Sequence, residues 1–130
     1  MPSSSPTDVA SVLVVDAANV VGSEPDGWWK DRAGAARRLH ERVLVGDTTY
    51  DVIVLVLEGG AKGGVKAGRD AHVLTVHAPR DGDSEIERQV VSAIEAGRRV
   101  TVVTADRFLQ SRVQGLGAMA MSPSWLLDQL

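Results

Sequence analysis

Two kinds of apolar pattern alternate along the chain. Val12-Leu13-Val14-Val15, Val52 to Leu57 and Val100 to Val103 are unbroken β-branched or aliphatic runs. They are too short for helices and lack the alternation of a half-exposed strand, so they predict strands covered on both faces, as in a parallel sheet. His72 to Ala78 predicts a shorter strand and Ala118 to Met121 an edge strand. Between these runs the apolar positions fall at three- and four-residue steps. Trp29, Ala33, Ala36, Leu39 and Val43 precede Gly46; Ile86, Val90 and Ile94 precede Gly97; Phe108, Leu109 and Val113 precede Gly115. Each set predicts a helix with one stripe turned inward. Ser84 with Glu87 has the spacing of a capping box for the second of these helices, and a last helix is expected from Pro123-Ser124 to Leu130. Val20 to Gly27 predicts a loop. Gly59 to Asp70 is glycine-rich with no apolar periodicity, and predicts a mobile loop.

The order β-α-β-β-α-β-α-β-α implies an α/β domain. The expected architecture is a three-layer α/β/α sandwich around a mainly parallel sheet of four to five strands, spanning residues 12–130. Residues 1–11, rich in Ser and Pro, are expected to form a disordered lead-in without the basic and apolar regions of a signal peptide.

Composition narrows the chemistry. With 130 residues, 44% hydrophobic and 24% charged, the chain has the make-up of one soluble globular domain. It has no cysteine, so disulfides and thiolate metal sites are excluded and a metal would sit on oxygen or imidazole. A formal net charge of -3 argues against a surface built wholly for nucleic acid, but allows a local basic rim. No run approaches the roughly 18 apolar residues of a membrane span; no membrane partner and a cytoplasmic location are the expectation.

The acids are the candidate chemistry. Asp16, Glu58 and Asp106 follow three of the predicted strands, and Asp83 opens a predicted helix. Carboxyl ends of parallel strands are where open α/β sheets bind ligands. Carboxylates gathered there would raise one another's pKa unless a cation lay between them, and Mg²⁺ or Mn²⁺ suits an all-oxygen set. Each acid also has a plainer role: Asp83 as a favourable charge at a helix N-terminus, Asp106 as a helix cap, Glu58 as an ordinary loop acid. Asp16 is harder to explain so, since a buried strand end is a poor place for an unpaired charge.

The segments VVDAAN, VLEGGAKGG, GDSEIERQV and VVTADRFLQSRVQGLGA, in this order between Val12 and Leu130, resemble the NYN branch of the PIN-like nucleases, closest to the bacterial YacP-like group. The resemblance implies a PIN-like fold and a divalent-metal-dependent ribonuclease acting on RNA, single-stranded by expectation. It implies that Asp16, Asn19, Asp83 and Asp106 form the catalytic pocket, with Asp16, Asp83 and Asp106 holding one or two Mg²⁺ or Mn²⁺ ions and Asn19 orienting water or phosphate. Glu58 corresponds to an acid the family often carries after the second strand, and Glu87, one turn beyond Asp83, is a candidate outer ligand.

Lys62, Lys66 and Arg69 of the glycine-rich segment, with Arg107 and Arg112, are candidates for a phosphate-binding rim. GGAKGGVKAG lacks the Gly-Lys-Ser/Thr ending of a P-loop. One or both of Trp28 and Trp29 are expected to anchor their helix to the sheet, base stacking being the other option, and His40, His72 and His77 are expected to be structural. Two other functions remain: a metal-dependent nucleotide phosphohydrolase resembling an NTP pyrophosphohydrolase, and a non-catalytic RNA-binding or protein-interaction module. A haloacid-dehalogenase-type phosphatase would want an acid where Ala18 stands, and a receiver-like module would want a late Lys after Asp106. A homodimer is left open.

Overall fold

The computed structural model describes residues 9–130; most of the expected lead-in lies outside them. Six strands form one sheet in the order β3-β4-β2-β1-β5-β6, made of β1 (Ser11–Asp16), β2 (Val52–Leu57), β3 (Gly68–Asp70), β4 (Val73–His77), β5 (Arg99–Val103) and β6 (Met119–Met121). All neighbouring pairs are parallel except β3 with β4. Among the described residues five α-helices accompany them: α1 (Ala17–Gly22), α2 (Arg32–Val45), α3 (Gly82–Glu95), α4 (Arg107–Gly115) and α5 (Pro123–Leu127).

The parity of the strands decides which helices cover which face, because successive side chains point to opposite sides. Val12, Val14, Val54, Val56, Val100 and Val102 pack against Ile86 and Val90 of α3 and Leu109 and Val113 of α4. Leu13, Val15, Ile53, Leu55, Leu57 and Val103 pack against Val20 of α1, Leu39 and Val43 of α2 and Leu126 of α5. Both faces are therefore covered, which is why the strand sequences show no alternation. The three-layer sandwich is present, with one strand more than the four to five expected.

Several local expectations are corrected. The segment after β1 is not all loop: α1 begins at Ala17, immediately after the strand, and buries Ala17 and Val20. Trp28–Lys30 forms a separate 3-10 turn ahead of α2; Trp29 is 57% exposed and meets the half-buried Trp28 edge to face. Asp31 caps α2, its Oδ1 accepting from the Gly34 N–H at 2.9 Å. Asp81, not Ser84, caps α3, accepting from the Ser84 N–H at 2.7 Å. Ser84 thus lies inside the first turn and the capping box is not formed. Phe108 points outward, 82% exposed, while Leu109 and Val113 carry the buried face of α4.

The glycine-rich stretch carries regular structure where an open loop was expected. Gly59–Gly64 makes a 3-10 segment and Gly68–Asp70 an antiparallel edge strand on β4. Its glycines permit close approach to α2: a Cβ on Gly64 would lie 2.0 Å from the Ala33 carbonyl oxygen. Apolar periodicity is absent because backbone rather than side chain makes this contact. His77 Nε2 at 2.7 Å from the Val65 carbonyl oxygen ties the far end to β4, a structural role as expected for that histidine.

Among the described residues no helix is long and apolar enough to cross a membrane.

Candidate active site

β1 lies between β2 and β5, so the residue that ends it is flanked on both sides by other strand ends. That residue is Asp16, 3% exposed. Val15 is level with Val103 in the sheet, so the next pair, Asp16 and Thr104, have matching parity and turn to the side covered by α3 and α4. The Thr104 hydroxyl, fully buried, donates to Asp16 Oδ2 at 2.8 Å. Asn19, one turn into α1, donates its amide to the same oxygen. Burial pushes the Asp16 pKa up, and the bonds from Thr104 and Asn19 oppose that rise without cancelling it.

Thr104 also accepts from the Asp106 N–H at 3.1 Å, which fixes the turn between β5 and α4. Asp106 caps α4 through Oδ1, which accepts from the Phe108 and Leu109 N–H groups at 2.9 and 3.2 Å. The plainer role foreseen for Asp106 is therefore real, and it commits one of the two oxygens. Glu58, after β2, accepts from the Gly82 N–H at 2.8 Å and so holds the start of α3. A Cβ on Gly82 would lie 3.1 Å from Glu58 Oε1, so any larger residue would make the Glu58 carboxylate shift by a few tenths of an ångström.

Asp83, in the first turn of α3, completes the group. Loss of water raises its pKa first, followed by the charges of Asp16, Asp106, Asp81 and Glu58. Acids from four separate segments thus lie close enough to repel one another at one edge. Among the described residues the ion pairs are Arg42 with Glu24, Arg88 with Glu85, and Arg112 with Glu87; none neutralises Asp16, Asp83 or Asp106. No three His, Cys, Asp or Glu groups among the described residues are close enough to enclose a metal ion directly. The set fits an ion held by one or two carboxylates and otherwise through water, the usual manner of Mg²⁺.

The remaining candidates divide. Glu87 and Arg112 face each other across α3 and α4 at 2.8 Å, so each is occupied by the other. Lys62 stands half-buried in the 3-10 segment beyond Glu58, and Arg107 is exposed at the start of α4, both on chain that leaves the acidic edge. Arg69 does not join them: on the antiparallel β3 it borders a hollow with Val12, Val52 and Leu74, at the amino ends of the parallel strands. Lys66 lies with Arg69 and His40 around another hollow.

Three residues of the site were not foreseen. Thr104 carries the signal of a hydroxyl at a strand end two positions before an acid, but its partnership with Asp16 needs the β1–β5 register. Arg32 and Arg80 line a cleft beside Glu58 with Trp28; nothing in their sequence positions indicates it.

The description of a YacP-like NYN domain matches residues 13–130. No curated protein matches the chain by sequence. Among solved structures, Rae1 (YacP) from Bacillus subtilis is similar at 21% identity and a TM-score of 0.64, over 90% of this chain and 71% of that one. A tryptophan-to-leucine variant of the same protein gives 19% identity and a TM-score of 0.63, over 91% of this chain and 73% of that one. The fold, the order of its elements and the match over nearly the whole domain agree, and the chain belongs to the YacP-like NYN family, a nuclease-related family.

Proposed function

We propose that the protein is a divalent-metal-dependent ribonuclease that hydrolyses phosphodiester bonds of single-stranded RNA at the carboxyl edge of the sheet, in the cytoplasm. One observation carries the reading: Asp16, Asp83, Asp106 and Glu58 crowd one edge with no cationic side chain paired to the first three. Carboxylates whose charges act on one another without a paired cation are costly to fold around and favour a bound cation.

Asp16 is the fixed element of the set. Thr104 and Asn19 hold its Oδ2, which orients the carboxylate before any ligand arrives. Asp106 keeps one oxygen outside its cap, and Asp83 sits on the more exposed side of the group. Asp16, Asp83 and Asp106 would hold Mg²⁺ or Mn²⁺, one or two of them directly and the rest, with Glu58, through water. A bound ion supplies an activated water and offsets charge at the phosphoryl group. Asn19, bonded to Asp16, would direct a water or phosphate oxygen. Lys62 and Arg107 give the flanks positive charge, and the exposed Phe108, two residues beyond Asp106, offers a base a stacking surface.

The test is incubation of wild type and Asp16→Asn with end-labelled single-stranded RNA and Mn²⁺, alongside nucleoside triphosphates. Cleavage of RNA by wild type alone is the expected result. Equal behaviour of the two proteins on RNA, or hydrolysis of triphosphates without RNA cleavage, would overturn the proposal.

A further inference from the structure

Beside the acidic edge, and sharing Glu58 with it, is an open cleft of about 310 Å³. One wall is apolar and close to the catalytic candidates: Ala17 and Ala18 follow Asp16 directly. Trp28 also lines the cleft, with the Arg32 guanidinium 5.5 Å from the centre of its ring. Gly60 lies over the Arg32 stem, so that an added Cβ would be 3.6 Å from it. Arg80, from the turn ahead of α3, lines it as well.

The chemistry of this cleft is mixed in a particular way. Neither Arg32 nor Arg80 has a carboxylate partner among the described residues, so two guanidinium groups are available to an anion. The apolar wall and the Trp28–Arg32 pair offer flat surfaces of the kind on which bases stack. Glu58 Oε2 accepts from the Gly82 N–H, and its other oxygen can accept from an N–H on a base edge. The volume is at the low end for ligand sites, about 300 Å³, which suits one nucleotide and not a stretch of strand.

We propose that the cleft is a nucleobase subsite, taking one base of the RNA next to the bond to be cut, with the adjoining phosphate on Arg32 and Arg80. The placement next to a scissile bond rests on the ribonuclease reading; the affinity for a base does not. RNA would then cross the sheet edge from the β5 side, over Asp16, into the cleft beyond β2. Arg32, Arg80 and Trp28 are binding residues in this scheme, and none takes part in bond cleavage.

The test separates the two claims. Full-length protein in EDTA is titrated with GMP, AMP, CMP and UMP, and with ribose 5-phosphate as the base-free control, following the Trp28 indole N–H and the Ala17, Ala18 and Gly59 amides by NMR. Saturable shifts at these positions with nucleotides, absent or much weaker with ribose 5-phosphate, are expected in wild type and in Asp16→Asn. Trp28→Ala should weaken binding about tenfold and raise KM for RNA in proportion while leaving kcat nearly unchanged; Trp28→Phe should recover most of the loss. Shifts equal for ribose 5-phosphate and the nucleotides, or no shift at the cleft, would overturn the subsite even if RNA is cleaved. Base-dependent shifts in a protein that cuts no RNA would keep the subsite and remove the ribonuclease reading.

Discussion

Replacing Thr104 by valine removes a single hydroxyl and keeps the side-chain shape, so no cavity accompanies the change. The hydroxyl is fully buried, donates to the Asp16 carboxylate at 2.8 Å and accepts from the Asp106 N–H at 3.1 Å. A hydrogen bond to a charged group contributes about 1.5–3 kcal/mol and a neutral one about 0.5–1.5 kcal/mol. With Asp16 ionised, the metal-free variant should therefore lose about 2–4 kcal/mol, or roughly 8–16 °C in Tm at about 4 °C per kcal/mol for a domain of this size.

Thr104 is also the strongest influence holding the raised Asp16 pKa down. Without it that pKa rises further, and the acid limb of the activity profile should move to higher pH. The assay is urea denaturation in EDTA at pH 8 and pH 4 for wild type, Thr104→Val, Asp16→Asn and the double variant. The loss should shrink from pH 8 to pH 4, since the raised pKa favours the protonated carboxyl as pH falls, and the cycle should show coupling of at least about 1 kcal/mol. Additive single losses, or a Thr104→Val protein as stable as wild type at pH 8, would refute the view that this hydroxyl supports a buried carboxylate.

Three further outcomes are expected. Mn²⁺ at about a hundred times its Kd should stabilise wild type by about 2.7 kcal/mol, and Asp16→Asn by much less; equal thermal shifts in both would place the ion elsewhere. In EDTA, the contribution of Asp16 to stability depends on pH with a definite sign. Its folded pKa lies above the ordinary 3.8, so the native state binds the proton more tightly than the unfolded chain, and stability is lost as pH rises from that value through the raised pKa. Asp16→Asn should flatten this decline, and an unchanged slope in denaturation midpoints would count against it. Phe108→Ala should weaken RNA binding about tenfold without loss of stability, while Arg69→Ala should leave binding unchanged, as read by filter binding at fixed salt; the reverse order would move the RNA path to the other edge of the sheet.

The central strands, the covering helices and the sandwich architecture were legible in the sequence because each is set by local periodicity: unbroken aliphatic runs for strands buried on both sides, three- and four-residue spacing for helices with one buried face. Asp16 was legible for a related reason, as an acid that terminates such a run. Where contacts are made by backbone, the pattern gave no signal, and the glycine segment that leans on Ala33 looked like free loop. The orientation of Phe108 and Trp29 likewise depended on where each helix actually starts and which side its neighbours occupy, and local spacing leaves both undetermined. The site divides along the same line. Sequence placed acids at strand and helix ends, but the register of β1 against β5 brought Thr104 to Asp16, and the packing of α3 against α4 gave Glu87 to Arg112. Chain order sets which residues end an element; only the assembled sheet decides which ends become neighbours, because hydrogen bonds and repulsion act over a few ångströms of space regardless of separation along the chain.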